Sequence, residues 1–327
     1  MDFTEHRVLV TGATGIVGSH LVRRLLKEHA YVVCFVRDWD PQTELIRSRD
    51  IQRTSVVNGR LEHFSDIERA INEHEIETVF HLGAQTIVGT ALRNPLPTFE
   101  ANIRGTYNLL EACRNHRGLV KHIVVASSDK AYGEAQTLPY TEDMPLRGQH
   151  PYDVSKSCTD LIAMTYAKTY DLPITVARCG NIYGAGDLNW SRIVPGAIRS
   201  LLTGQRPELR SDGTNIRDYI YVDDVVEAYM LLAEKSADEG VRGEAFNFSP
   251  ETQVTVLEIT RKVAEAVDRA DLEPKIMNTA RAEIKDQYLD SSKANRVLGW
   301  SPKFTLEAGL AETVKWYRQY LTYAGLM

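Results

Sequence analysis

Short, almost continuous apolar runs alternate with longer stretches in which apolar residues recur every three or four positions. The runs "HRVLVTG" (6–12), "AYVVCFV" (30–36), "TSVVNG" (54–59), "ETVFHLGA" (77–84), "KHIVVASS" (121–128) and "LPITVARC" (172–179) predict β-strands. The stretches at about 16–28, 65–74, 99–115 and 152–170 predict helices with one apolar face. Strands that are apolar on both sides and separated by crossover helices require a parallel sheet covered on both faces. The pattern therefore predicts an α/β fold: a Rossmann-type, doubly wound parallel sheet. After Cys179 the rhythm gives way to Gly- and Pro-containing loops, a helix at about 193–203, a strand and turn at 205–214, and "RDYIYVDDVVEAYMLLAEK" (217–235). An amphipathic helix, "LEAGLAETVKWYRQYL", closes the chain. The expected organisation is a dinucleotide-binding domain over 1–180 and a smaller substrate-binding lobe over 181–327, with about 217–247 recrossing into the first domain.

Composition narrows the function classes. The chain has 327 residues, 43% hydrophobic and 25% charged, with a net charge of −6. No Lys/Arg run forms a backbone-binding groove, which argues against a nucleic-acid partner. No apolar stretch is long enough to span a membrane. Cys34, Cys113, Cys158 and Cys179 are scattered, without CxxC or metal-ligand spacing. A reducing, cytoplasmic setting without a signal peptide or metal is the expectation.

"VLVTGATGIVGSHLVRRLL" places Gly12, Gly15 and Gly18 between the first strand and the first helix. Glycine permits a tight turn, and the backbone N–H groups around Thr14, Ile16 and Val17 can then approach a pyrophosphate at a helix N-terminus. The second strand ends in Arg37-Asp38. An acid there suits the ribose hydroxyl of NAD and an arginine the extra phosphate of NADP, so NAD is expected with NADP left open. In "YDVSK", Tyr152 and Lys156 lie one helical turn apart on one face. A nearby ammonium favours the phenolate, which makes Tyr152 a candidate general base for an alcohol proton. "VVASSDKAYG" sets Ser128, Asp129 and Lys130 where the fifth strand should meet the ligand crevice. They are either proton-transfer groups or a polar strand cap.

Together, "TGATGIVG", "VFHLGAQ", the serine-containing strand end and "YDVSK" resemble the extended short-chain dehydrogenase/reductase superfamily. "RCGNIYGAGD", "NIRDYIYVDD" and "LGWSPKFTLEAGL" are similar to its nucleotide-sugar epimerase/dehydratase branch. The resemblance extends from residue 6 to about 317. It implies that Leu61, Leu82, Gly83 and Ala84 join the cofactor site. Gln85, Thr86, Asn181, Arg192, Arg217 and Arg281 become candidate ligands of a nucleoside-diphosphate sugar, with Arg217 expected on the diphosphate. Asn181 is alternatively a turn residue, and Arg192 and Arg281 alternatively surface arginines. A homodimer through helices 99–115 and 152–170 is also implied. The family's common acid after strand three is missing, because the run here is Gly59-Arg60-Leu61.

Ser-Asp-Lys resembles the strand end of CDP-glucose 4,6-dehydratases. That resemblance implies a 4,6-dehydration: Tyr152 takes the O4 proton, Ser128 bonds O4, Asp129 protonates the leaving C6 hydroxyl and Lys130 takes the C5 proton. The alternative is a 4-epimerase that needs only Tyr152, Lys156 and Ser128.

Overall fold

The computed structural model describes residues 1–279 and 284–327. The first part of the chain runs β1 (Arg7–Thr11), α1 (Ile16–Lys27), β2 (Tyr31–Val36), α2 (Glu44–Arg47), β3 (Ser55–Asn58), α3 (Phe64–Glu73) and β4 (Thr78–His81). It continues with α4 (Val88–Arg93), α5 (Pro95–Phe99), a π-helical turn (Glu100–Arg104), α6 (Gly105–Asn115), β5 (His122–Ala126), α7 (Pro151–Tyr170) and β6 (Ile174–Cys179). The remainder comprises β7 (Asn181–Tyr183), α8 (Ile193–Leu202), β8 (Glu208–Leu209), β9 (Ile216–Tyr221), α9 (Val222–Lys235), β10 (Ala245–Phe248), β11 (Gln253–Thr255), α10 (Val256–Ala266), β12 (Lys275–Ile276) and α11 (Leu306–Tyr323).

The main sheet has seven parallel strands in the order β10-β6-β5-β4-β1-β2-β3. Side-chain alternation explains its two covers. Val8, Val10, Val32, Cys34, Phe80 and Val124 pack into a core shared with α1 and α9. Leu9, Val33, Phe35, Val79, Ile123 and Val125 face the core shared with α3, α6 and α7. A one-residue slip of any strand would exchange these faces, so two-sided burial fixes the register. The strand order reverses between β1 and β4, which opens a crevice at the carboxyl ends of the strands.

Residues 222–248 return to this sheet, with β10 pairing alongside β6. The other strands after β6 form a three-stranded sheet, β11-β9-β7, and a β12-β8 pair. Of the strand and turn expected over 205–214, the strand is only Glu208–Leu209, and the turn follows at 211–214, where the Thr214 N–H donates to Asp212 Oδ1 at 2.9 Å. Tyr183, Ile198, Tyr219, Tyr221, Ile259 and Tyr317 share a separate core in this lobe. Its α10 starts at a capping box: Thr255 accepts the Glu258 N–H, and the Glu258 carboxylate accepts the Thr255 N–H. Among the described residues, no helix is long and apolar enough to cross a membrane.

One buried ion pair joins β6 to α7. Arg178 Nε and one terminal nitrogen donate to the two oxygens of Asp160 at 2.8 and 2.9 Å, with both side chains almost fully buried. The other terminal nitrogen donates to Tyr132 Oη at 2.8 Å and to the Glu142 carbonyl at 3.2 Å. Tyr132 closes the 3₁₀ turn Asp129–Tyr132, so the pair also anchors the turn that carries Asp129 and Lys130.

A second buried chain links β1, β4 and α6. Thr11 Oγ1 accepts the Leu82 and Gly83 N–H groups, so its own proton goes to His81 Nδ1 at 2.9 Å. His81 Nε2–H then donates to Thr106 Oγ1 at 3.2 Å, and Thr106 donates to the Asn102 carbonyl. Burial, reinforced by the Lys156 charge, pushes the imidazole down to about 3 and holds it neutral.

Asp160→Asn leaves a buried guanidinium uncompensated and should cost about 3–5 kcal/mol in urea denaturation. The double change Arg178→Met/Asp160→Leu should cost less than Asp160→Asn alone. For His81, the unfolded chain binds the extra proton below its ordinary value, about 6.5, while the folded protein does not. Stability should therefore fall as pH drops from about 6.5 towards the folded value near 3. His81→Gln should flatten that slope by up to about 1.4 kcal/mol per pH unit, as measured by urea titrations across this range.

Candidate active site

A cavity of about 1400 Å³ lies over the carboxyl ends of the central strands and continues towards the C-terminal lobe. At its floor, Gly12 has φ +68°, and a Cβ there would sit 2.8 Å from Gly83 N. A Cβ on Gly18 would collide with the Gly12 carbonyl, which accepts the Gly15 N–H at 3.0 Å. Gly15 caps α1 without any side-chain hydrogen bond, and the first turn of α1 has no acid. The first N–H groups of the helix are thus left to an anion, where the helix dipole favours negative charge. Thr14, Gly15, Ile16, Val17 and Gly18 line this part of the cavity. The turn fits a dinucleotide pyrophosphate.

Arg37, Asp38, Leu61, Leu82, Gly83 and Ala84 extend the same wall. Arg37 Nε donates to Asp38 at 2.6 Å, so the two candidate ribose ligands pair with each other. Glu62 also lines the cavity, one position beyond Leu61.

The sugar-side candidates converge from β5, the turn after it, and α7. Ser128, Asp129, Lys130, Tyr152 and Lys156 all line the cavity. Pro151 stands in the first turn of α7, where its missing N–H needs no partner, and this places Tyr152 at the cavity wall. Ser128 Oγ accepts the Lys130 N–H and donates to Asp129 Oδ1 at 2.9 Å. Asp129 is buried, and its Oδ2 has no hydrogen-bond partner among the described residues. Lys130 Nζ donates to Gln287 Oε1 at 2.8 Å.

The expected electrostatic partnership between Tyr152 and Lys156 needs correction. Lys156 Nζ donates to the Ala126 carbonyl at 2.8 Å, and burial pushes its ammonium down to about 8. Burial pushes the Tyr152 phenol up to about 12 rather than down. Arg192, at the N-cap of α8, is the main opposing charge, helped by a Ser128 hydrogen bond, while Asp129 and Asp153 push the phenol further up. Arg192 is therefore electrostatically part of the site, and it also pairs with the buried Asp187 at 3.1 Å.

Two expected sugar ligands are otherwise engaged. Gln85 does not line the cavity: its backbone is bracketed by Asn102, and its side-chain oxygen accepts the Ile87 N–H at the start of α4. Arg217 does line it, but its terminal nitrogens donate to the carbonyls of Ile216, Ile284 and Lys285. Its fork holds protein backbone where a diphosphate was expected. Thr86 and Asn181 line the cavity, the latter donating to the Asp218 carbonyl at 3.4 Å. Arg281 lies outside the described residues.

Asp153 is a further residue of the site, not among those expected there. This residue is buried in the first turn of α7 and lines the cavity. Burial raises its carboxyl, and the charges of Lys130 and His150 draw it back. Its place directly after Tyr152 was the available signal. Among the described residues, no group of three or more His, Cys, Asp or Glu is arranged to hold a metal ion.

Comparison with known proteins gives this geometry a family. The family model described as GDP-mannose 4,6 dehydratase matches residues 9–313. The dTDP-glucose 4,6-dehydratase of Mycolicibacterium smegmatis is 30% identical over 95% of this chain and 93% of its own length. The CDP-glucose 4,6-dehydratase of Salmonella typhimurium is 30% identical over 96% of this chain and 91% of its own. A trifunctional UDP-glucose 4,6-dehydratase/3,5-epimerase/reductase of Arabidopsis thaliana is 28% identical over 97% of this chain, which spans only 48% of that protein. Among solved structures, Thermotoga maritima UDP-glucose 4-epimerase with UDP-glucose superimposes with a TM-score of 0.86 at 30% identity, covering 96% of this chain and 99% of that one. Bacillus anthracis dTDP-glucose 4,6-dehydratase with NAD also gives 0.86, at 27% identity, covering 98% and 100%. The chain belongs to the GDP-mannose 4,6 dehydratase family, within the nucleotide-sugar branch of the extended short-chain dehydrogenases/reductases.

Proposed function

We propose that this protein is an NAD-dependent nucleotide-sugar 4,6-dehydratase that converts an NDP-hexose, with CDP-glucose favoured, to its 4-keto-6-deoxy form. The observation that carries the reading is the joining of Ser128-Asp129-Lys130 to Tyr152 on one cavity wall, with an unpartnered carboxyl oxygen on the buried Asp129. An epimerase has no use for that acid or for the adjacent amine. The domain over 1–180, completed by about 217–247, would hold the cofactor, and the lobe over 181–327 would hold the nucleotide sugar. The NAD-bound dehydratase relative supports the choice of cofactor. The Ser-Asp-Lys run supports CDP.

When bound, oxidised NAD would supply a hydride acceptor for C4, a positive ring charge that favours a neighbouring phenolate and, once reduced, a hydride for C6. The protein's own groups do the proton work. Tyr152 takes the O4 proton, with Arg192 supplying positive charge against the cost of burial. Ser128 bonds O4. Oxidation at C4 acidifies the C5 hydrogen, which Lys130 removes while Asp129 protonates the departing C6 hydroxyl. Water leaves, and C5 is reprotonated after C6 has been reduced.

A 4-epimerase using only Tyr152, Lys156 and Ser128 is the second reading, favoured by the fold match to the T. maritima epimerase. The family's dimer would use α6 and α7, and large apolar side chains there support it: Tyr107 and Leu161 are 39% and 55% exposed. The unpaired cysteines support a reducing compartment, the cytoplasm.

Asp129→Asn and Lys130→Ala should each slow water release by about 10²–10⁴-fold, while the absorbance of reduced nicotinamide still appears on mixing with substrate. Near-normal turnover of a sugar nucleotide in both variants would make the enzyme an epimerase. Sedimentation velocity should show a dimer that Leu161→Glu converts to a monomer; wild-type protein running as a monomer would remove the proposed interface.

A further inference from the structure

Residues 284–290 form no regular element, yet they are fastened along their length. Arg217 holds the Ile284 and Lys285 carbonyls, each at 2.6 Å. The Asp286 carboxylate accepts the Ile216 N–H at 3.0 Å, and the Gln287 N–H donates back to the Ile216 carbonyl at 3.0 Å. On the other side, the Tyr140 N–H donates to the Tyr288 carbonyl, and the Asp290 N–H donates to the Tyr140 carbonyl. Gln287 is thus clamped between β9 and the loop containing Tyr140, and it has no exposed surface.

From this clamp its Oε1 accepts Lys130 Nζ at 2.8 Å, across 157 residues of sequence. Its amide also meets the Tyr140 phenol, where a side-chain hydrogen bond from Gln287 opposes the effect of burial. With Oε1 accepting from Lys130, the N–H₂ end of the amide is left for Tyr140. The partner is also neutral. A carboxylate at this position would stabilise the ammonium, whereas an amide oxygen directs the amine without adding charge. Asp129 and Asp153, whose carboxyl groups flank Lys130, come from the strand-end turn and from α7.

We infer that Gln287 is the positioning residue for Lys130, aiming its amine at the C5 side of the sugar while leaving it free to accept a proton. The inference rests on the dehydratase reading. In the step it serves, the C5–H bond breaks and its proton goes to Lys130. The electron pair forms the C5–C6 double bond, and the C6–O bond breaks with a proton from Asp129, releasing water.

Single-turnover kinetics with wild-type protein, Gln287→Leu and Gln287→Glu separate this role from a structural one. For Gln287→Leu, the first hydride transfer should stay within about threefold of wild type while water release slows by about 10–100-fold. Reduced nicotinamide should therefore accumulate. Gln287→Glu keeps an acceptor of the same reach but holds the ammonium charged, so its water release should recover as pH rises, and that of Gln287→Leu should not. Equal slowing of both steps, or unchanged water release in Gln287→Leu, overturns the inference while dehydration by wild type stands. Wild-type protein that releases no water from any NDP-hexose overturns the dehydratase reading, and this inference with it.

Discussion

The site depends first on the paired hydrogen bonds between Arg178 and Asp160. A parallel sheet brings strand ends to one crevice but does not orient the residues beyond them. Here the guanidinium reaches from β6 to α7 with one edge and to Tyr132 and Glu142 with its remaining nitrogen. Tyr132 in turn donates to Asn247 at 2.7 Å, within the recrossing strand β10. The turn carrying Asp129 and Lys130 is thereby referenced to the helix carrying Tyr152 and Lys156. Such a pair is expensive to bury and worth little unless its geometry is complete, and here both oxygens of Asp160 are engaged.

Around that anchor, burial and charge pull in opposite directions. Burial makes Tyr152 a weaker acid and Lys156 a weaker base, and it holds His81 neutral. The protein opposes this with separately mounted charges: Arg192 from α8 acts on the phenol, and Lys130 and His150 act on Asp153. A ligand-filled crevice of low dielectric would strengthen each of these influences. The free protein is therefore set with its phenol protonated, and the positive charge needed to ionise it is assembled from outside α7.

Much of the Rossmann-type sheet was legible in the chain. Strands buried on both faces leave near-continuous apolar runs, so β1, β2, β4, β5 and β6 fell within a few residues of their observed bounds. The glycine positions were legible because close backbone approach at Gly12 and Gly18 admits nothing larger. The candidate sugar ligands were less so, because they are placed by irregular chain. Spacing could not show that the Gln85 side chain turns back on Ile87, or that Arg217 spends its fork on Ile284 and Lys285. The helix expected over 99–115 begins earlier, at Pro95, and passes through a π-helical turn that periodicity does not register. Lys156 lies one turn from Tyr152, as spacing required, yet its amine bonds the Ala126 carbonyl. Sequence separation says which face a side chain occupies, not which partner it takes. Gln287 carried no signal at all, since its contact spans half the chain.

The central claim is elimination of water from a nucleotide sugar, and the most direct test is the mass of the product. Purified protein would be incubated with NAD and CDP-, GDP-, UDP- and dTDP-hexoses, and each mixture would be read by mass spectrometry. The account predicts a product lighter than its substrate by one water, with the CDP sugar consumed fastest. A product of unchanged mass and inverted C4 configuration, seen by proton NMR, would contradict it and leave Asp129 and Lys130 as parts of the scaffold.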